Sequence, residues 1–367
     1  MKNKPVDYIF LTTILILLAI GLVMVFSSSS PTAFANKTTN HDSFYYLKKQ
    51  FVWAIIGLLS MFSVSNYNYK NIGKKSILFV FVSLVLLVMV TIIGTEVNGA
   101  KRWLGFTSSF GFQPSEFAKI AILIFFSYSL SKNKDNLKYF WKGLVPYLVI
   151  VGIFAALLLL EPHFSCTLLI ASTAISVLYI AGARVSHFLI LSAPILIGIS
   201  GIIIFSPYRR DRLFAFLDPF SDPLGKGYQI IQSLYAIGSG GIFGLGLGQS
   251  RQKYLYLPEP QNDFIFSILC EELGLVGSTL VIFLFIILIW RGFRIASKTP
   301  DLFGSLLACG ITTLIAIQTF TNIAVVTSSI PATGMPLPFF SYGGTALVFT
   351  LSSMGIILNI SRNIKNV

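Results

Sequence analysis

Charge is scarce in this chain of 367 residues: Asp, Glu, Lys and Arg together make up 11%, against 54% hydrophobic residues, with a mean hydropathy of +0.78. Soluble domains carry about 25% charged residues, so a water-soluble globular fold is excluded. An integral membrane protein remains. Acids are the scarcer sign, fourteen against 27 Lys and Arg, for a net +13. On a soluble chain that excess would suggest nucleic acid. Here the bases sit mainly in short connectors between apolar runs, where they orient a membrane protein. Cysteine is rare too: Cys166, Cys270 and Cys309 each lie in an apolar run and none forms a C-x-x-C pair. Neither a disulfide framework nor a zinc site is supported. His41, His163 and His187 are scattered, which excludes a His/Cys metal cluster. No repeat, low-complexity tract or soluble segment interrupts the chain, so residues 1–367 read as one membrane domain.

An apolar helix needs about 20 residues to cross roughly 30 Å of hydrocarbon. About ten segments qualify: 8–28, 51–67, 76–94, 116–131, 143–160, 165–183, 186–206, 264–290, 303–327 and 343–361. The fold class is therefore an all-α polytopic membrane protein, with a long outward loop between the seventh and eighth spans. An even number of crossings puts both termini on one side. That side carries Lys2, Lys4, Lys70, Lys74, Lys75, four lysines between 132 and 142, Arg184, Arg291, Arg294, Lys298, Arg362 and Lys365. By the positive-inside rule it is cytoplasmic. The start resembles a signal peptide, with Ala33-Phe34-Ala35 as a cleavage site, but its apolar run exceeds the roughly 7–15 residues of a signal core.

The chemistry lies in the outward loops and in charges within spans, each of which demands a partner or a job. Glu116 and Lys119 open the fourth span behind Gln113-Pro114-Ser115, three residues apart on one helical face, and can neutralise each other. Before them, Lys101 and Arg102 beside Trp103 suit either lipid phosphate or an anionic ligand. Residues 207–262 add Arg209, Arg210 and Arg212, then a glycine-rich run, 238–248, whose spacing is not that of a P-loop. Close backbone approach and flexibility are what such a run supplies. At the end of this segment Asp263 stands where a helix N-cap would, and capping alone explains an Asp there. Glu271 and Glu272 follow about 12–14 Å deeper along the helix, inside the membrane, with Lys119 as a candidate partner. Asn322 lies in the ninth span. The Pro- and Gly-rich stretch 331–345 cannot form regular helix and reads as a re-entrant cavity wall rather than a stiff outer loop.

Five stretches carry a family resemblance: GAKRWLGF at 99–106, QPSEFAKIA at 113–121, GYQIIQSLYAIGSGGIFGLGLGQSRQKYLYLPEPQNDFIF at 227–266, EELG at 271–274 and PATGMPLPFFSYGGT at 331–345. Together they resemble the SEDS family of bacterial cell-wall polymerases, and the division and sporulation branch more than the rod-elongation branch. The resemblance implies polymerisation of lipid II into glycan strands at the outer face of the bacterial cytoplasmic membrane. It matches Asp263 to the family's catalytic aspartate, Arg102 to a functional arginine, and Glu116 with Lys119 to a charged pair. It also implies dependence on a divalent cation, Mg2+ or Mn2+, with no dedicated carboxylate cage legible and no nucleotide. The implied partners are a class B penicillin-binding protein, because the chain holds no transpeptidase domain, and other division or sporulation proteins. One departure is plain: where the family commonly has an acid after the fifth span, this chain has His163 within Glu161-Pro162-His163.

An inverting transfer needs one base, the expected role of Asp263, with its charge favoured by a helix N-terminus. The diphosphate leaving group needs cations, for which Lys101, Arg102, Arg209, Arg210 and Arg212 are candidates. Glu116, Lys119, Glu271 and Glu272 form a supporting charged network. A lipid II flippase, a rod-elongation polymerase and a scaffold for a partner enzyme are the rival readings.

Overall fold

The computed structural model describes residues 6–97, 100–105, 111–225 and 227–364. Lys2, Lys4 and Lys365, counted above toward orientation, lie outside them, as do Gly99, Phe106 and Lys226.

The chain opens with α1 (Tyr8–Ala35), α2 (Tyr45–Asn66), the short α3 (Tyr69–Lys74) and α4 (Ser76–Ile93). An antiparallel hairpin of β1 (Thr95–Val97) and β2 (Ala100–Trp103) follows, with Glu96 opposite Lys101. Then come α5 (Pro114–Lys132), α6 (Val145–Leu160), α7 (Phe164–Ile180), α8 (Val185–Ile204) and α9 (Pro207–Leu217). The last four are α10 (Tyr228–Ser239), α11 (Ile265–Lys298), α12 (Leu302–Val326) and α13 (Gly344–Ser361). All but α3, α9 and α10 match the ten apolar runs of the sequence. Seven are long and apolar enough to cross a bilayer by that measure alone, and α7 and α8 contribute shorter apolar stretches. α5 carries Glu116, Lys119 and Lys132 among its apolar residues.

α12 is the enclosed axis. Of its most apolar 18-residue stretch 78% is buried, against 22% in α2 and in α4, whose remaining surface is apolar and left to lipid. Polar side chains on α12 can therefore reach protein partners instead of hydrocarbon.

Two buried ion pairs mark the ends of the apolar slab. At one end Asp7 caps α1 by accepting the Phe10 N–H (2.9 Å), pairs with Arg291 Nη2 (2.6 Å), and donates its own N–H to Ser361 Oγ (3.2 Å). Both ends of the described chain are thereby gathered on one face. At the other end Glu272 accepts from Ser27 Oγ and from Lys253 Nζ, each at 2.7 Å. Helical rise separates Asp7 from Ser27, and Arg291 from Glu272, by about 30 Å, one hydrocarbon thickness. The exposed face of α11 agrees, being apolar from Leu275 to Trp290.

The slab drawn this way sets Glu271 and Glu272 at a different depth from the one expected. The 34 residues of α11 run about 51 Å; with the two ion pairs taken as the slab's limits, seven residues extend beyond Arg291 and seven beyond Glu272, and both glutamates sit at one limit. Nor is Lys119 their partner: it pairs with Glu116 at 2.8 Å, and Lys253 takes the place expected of it.

The glycine-rich run explains the geometry at this edge. α11 breaks at Gly274, whose φ of 64° and ψ of −165° suit only glycine. The run lies in that break. Leu245 and Gly246 N–H donate to the Glu271 and Glu272 carbonyls (3.0 Å each), and Leu275 and Val276 N–H donate to Gly241 and Ile242 (2.9 and 3.1 Å). Close approach is realised; the expected flexibility gives way to a strap held by four backbone hydrogen bonds.

Residues 331–343 fold back among the helices. Gln318 Nε2 donates to the Pro336 carbonyl (3.0 Å), and the Phe339 carbonyl lies so close to Gly21 of α1 that a Cβ there would sit 2.3 Å from it. Gly21 is about 9 Å below Ser27 along α1. Phe339 and Phe340 pack beside Phe285 of α11, at ring distances of 6.4 and 5.8 Å.

Candidate active site

Asp263 lies in the turn before α11, yet it caps nothing. Phe264 occupies the cap position, without a side-chain cap, and the Asp263 carboxylate accepts no hydrogen bond and forms no ion pair among the described residues. The structural explanation open to the sequence is thereby removed. What holds the residue is its backbone: Asn322 Nδ2, on the buried axis α12, donates to the Asp263 carbonyl (2.8 Å) and to the Met335 carbonyl (2.7 Å). One amide thus joins the α11 turn to the re-entrant loop. Ser341 adds a second tie, donating from Oγ to the Asn262 carbonyl at 2.7 Å. Gly334 faces the carboxylate so closely that a Cβ there would be 3.4 Å from Oδ2.

Two arginines converge on this carboxylate. Arg212, on α9, donates from Nη1 to the Ala332 carbonyl at 2.9 Å. Arg102, on β2, donates from Nε to the Glu161 carbonyl (3.3 Å) and from Nη2 to the Pro162 carbonyl. Backbone carbonyls help to position both guanidiniums. Burial pushes the Asp263 carboxyl up; Arg212 and then Arg102 oppose this, Glu259 adds to it, and the result is about 6. The carboxylate is therefore more basic than one stabilised by a helix N-terminus, which the sequence suggested, because desolvation outweighs its cationic neighbours.

The other three cation candidates fare differently. Lys101 alternates to the opposite side of β2 from Arg102 and is exposed. Arg210 is exposed as well. The Arg209 side chain lies outside the described residues.

Below the arginines, Glu116 and Lys119 form a closed pair with each side chain about nine-tenths buried. Glu161 is buried with both carboxyl oxygens unpartnered, and burial raises it to about 8 against the pull of Arg102. It is neutral at pH 7. Burial, then Arg102 and Lys119, push His163 down to about 3. Desolvation and two cations all disfavour the imidazolium, so His163 is neutral at pH 7. Asp263, beside Arg102 and Arg212, is mostly ionised at pH 7.

No group of three or more His, Cys, Asp or Glu side chains among the described residues could hold a metal ion. The divalent cation implied by the resemblance therefore finds no protein cage here. The arrangement offers a carboxylate of raised proton affinity beside two hydrogen-bonded guanidiniums, groups able to take a proton and to bind a phosphate-type anion.

Sequence reasoning missed Asn322 as the clamp and Lys253 as the partner of Glu272. Asn322 was visible as a polar residue within a span. Lys253 was hidden in a loop whose fold returns it to α11.

Residues 7–366 match the cell cycle protein family that groups FtsW, RodA and SpoVE. The chain is 46% identical to stage V sporulation protein E of Bacillus subtilis, covering 98% of each. It is 42% identical to a Geobacter protein named "Probable peptidoglycan glycosyltransferase FtsW", over 98% of this chain and 97% of that one. Among solved structures it is similar to a chain from a peptidoglycan synthase complex described as coordinating polymerization and crosslinking, with a TM-score of 0.81, 28% identity and 99% coverage of each. It is also similar to the rod shape determining protein RodA of Thermus thermophilus, with a TM-score of 0.71, 25% identity and coverage of 99% and 98%.

Proposed function

The chain belongs to the FtsW, RodA and SpoVE family of cell cycle proteins, and from that membership we infer that it is a peptidoglycan glycosyltransferase. It is a multi-pass membrane enzyme that polymerises lipid II into β-1,4 glycan strands for division or sporulation. The observation that carries this reading is Asp263, a desolvated carboxylate without a cap or ion pair, facing Arg102 and Arg212. A carboxylate held at the cost of burial, with no structural partner, is what a base requires.

The chemistry follows from the geometry. A carboxylate oxygen of Asp263 removes the proton from the 4-hydroxyl of the acceptor sugar as that oxygen attacks C1 of the donor sugar. The bond from C1 to the diphosphate breaks on the opposite face, so the α linkage becomes β. The diphosphate leaves without needing a proton. Arg102 and Arg212 bind its charge, which is greatest once the bond has broken. The Glu116–Lys119 pair supports the wall beneath them. The face carrying Asp7 and Ser361 is cytoplasmic, which places Asp263 outside. A class B penicillin-binding protein is the partner that supplies crosslinking.

The decisive measurement is lipid II polymerisation by the purified full-length chain in lipid, with and without that transpeptidase. Wild type should yield glycan, and Asp263→Asn should lower the rate at least about a hundredfold. Unchanged polymerisation by Asp263→Asn would reject Asp263 as the base. Transbilayer movement of lipid II without any polymer would favour a flippase.

A further inference from the structure

The strap between α10 and α11 is fixed from below and bare above. Its underside is bonded to the top of α11: the Glu271 carboxylate accepts from Ser250 Oγ (2.5 Å), Arg251 N–H (2.9 Å) and Gln252 N–H (3.3 Å), while Lys253 pairs with Glu272 (2.7 Å). Above this floor Tyr254 and Tyr256 are 59% and 56% exposed. Leu255 between them has a φ of 67°, a left-handed conformation that a branched side chain resists. Strain of that kind persists only where the surroundings enforce it, and the bonded floor does so.

The two rings, with Gln249, Ser250, Arg251 and Gln252, line an open groove of about 540 Å³. That is ample for a small-molecule site. Gln252 is among the lining residues. The lining specifies its ligand. One guanidinium is too little charge for a polyanion, and the amides would be left unpaired against an apolar chain. Two tyrosine faces beside amide donors and acceptors suit rings that are apolar on their faces and polar at their edges, with Arg251 available for an occasional carboxylate. An amino-sugar oligosaccharide with lactyl carboxylates has that chemistry. Tyr256 precedes Asp263 by seven residues, at most about 25 Å of chain, so a few sugar units span the distance.

We propose that this groove binds the finished part of the growing glycan strand and keeps it on the enzyme between additions. The proposal rests on the polymerase reading above, and two separate readouts keep them apart. The first is calorimetric titration of the full-length chain with a soluble, lipid-free tetrasaccharide of alternating N-acetylglucosamine and N-acetylmuramic acid. Wild type should bind, the double variant Tyr254→Ala/Tyr256→Ala should bind about tenfold more weakly, and Tyr254→Phe/Tyr256→Phe should retain binding. The second is strand length per lipid II consumed, which should fall severalfold in the alanine variant and recover in the phenylalanine variant. No binding by wild type, or binding and strand length indifferent to the alanine pair, overturns the groove. So does an effect confined to lost co-purification with the transpeptidase, which would make this a protein contact. Absence of polymer from wild type would count against the polymerase reading, while the titration still decides on the groove.

Discussion

Asp263 combines a raised proton affinity with an exposed role, and both have measurable consequences. With its carboxyl near 6, polymerisation should fall about tenfold per pH unit below that value and level off above it; a rate profile from pH 5 to 8 checks this. The same shift acts on stability in a definite direction. Because the folded value lies above the ordinary 3.8, the unfolded chain releases this proton first, and stability is lost as pH rises from about 4 to 6. Asp263→Asn should therefore melt higher than wild type at pH 7, on the order of 2 °C, while losing activity. Glu161 provides the contrast. Already neutral at pH 7, it should tolerate Glu161→Gln with polymerisation within about threefold of wild type, and the variant should lose the fall in melting temperature expected of wild type between pH 4.5 and 8. A collapse of activity in that variant would show that ionised Glu161 matters.

At the scale of elements, the break in α11 and the strap seated in it form one unit. Lys253→Met leaves Glu272 buried without its cation, which should cost about 3–5 kcal/mol, read as a lowered melting temperature in detergent. Lys253→Met/Glu272→Met should recover most of the loss. Gly274→Ala should be as damaging as the single lysine change, since a Cβ would lie 2.3 Å from the Gly244 nitrogen. Here the sequence was informative in part. Apolar runs of about 20 residues located the ten long helices because bilayer thickness dictates their length, and Pro, Gly and aromatic residues at 331–345 disclosed the re-entrant loop. Depth was not legible. Counting residues down from Asp263 gave its distance from Glu272 correctly, but nothing local to α11 says how far the helix projects above the lipid. The partners of Glu272 come from α1 and from a loop nineteen residues upstream, contacts that only the fold creates. The β1–β2 hairpin escaped notice because seven residues of strand carry no clear alternation, although it is what carries Arg102 to the α6–α7 turn. Asp263 itself was ambiguous between cap and base until the structure placed Phe264 at the cap.

For the whole molecule, the ion pairs at Asp7–Arg291 and Lys253–Glu272 mark two opposite faces, and which of them is cytoplasmic can be tested directly. The native cysteines are all buried, so single cysteines can be labelled against a low background. Thr38→Cys, in the connector after α1, should react with an impermeant maleimide in intact cells, and Lys70→Cys should react only after the membrane is opened; the reverse pattern would invert the topology. The projection of α11 past the slab has one more implication. Along that helix Asp263 stands roughly 13 Å above Glu272, beyond the ~5–7 Å occupied by lipid headgroups on each side. A substrate whose sugar reaches the base must be hoisted partly out of its leaflet, and each methylene drawn from hydrocarbon into water costs about 0.8 kcal/mol. Turnover should then track the acyl length of the surrounding phospholipid, quickening in bilayers thick enough to lift the polyprenyl anchor toward the reactive height and slowing in thin ones.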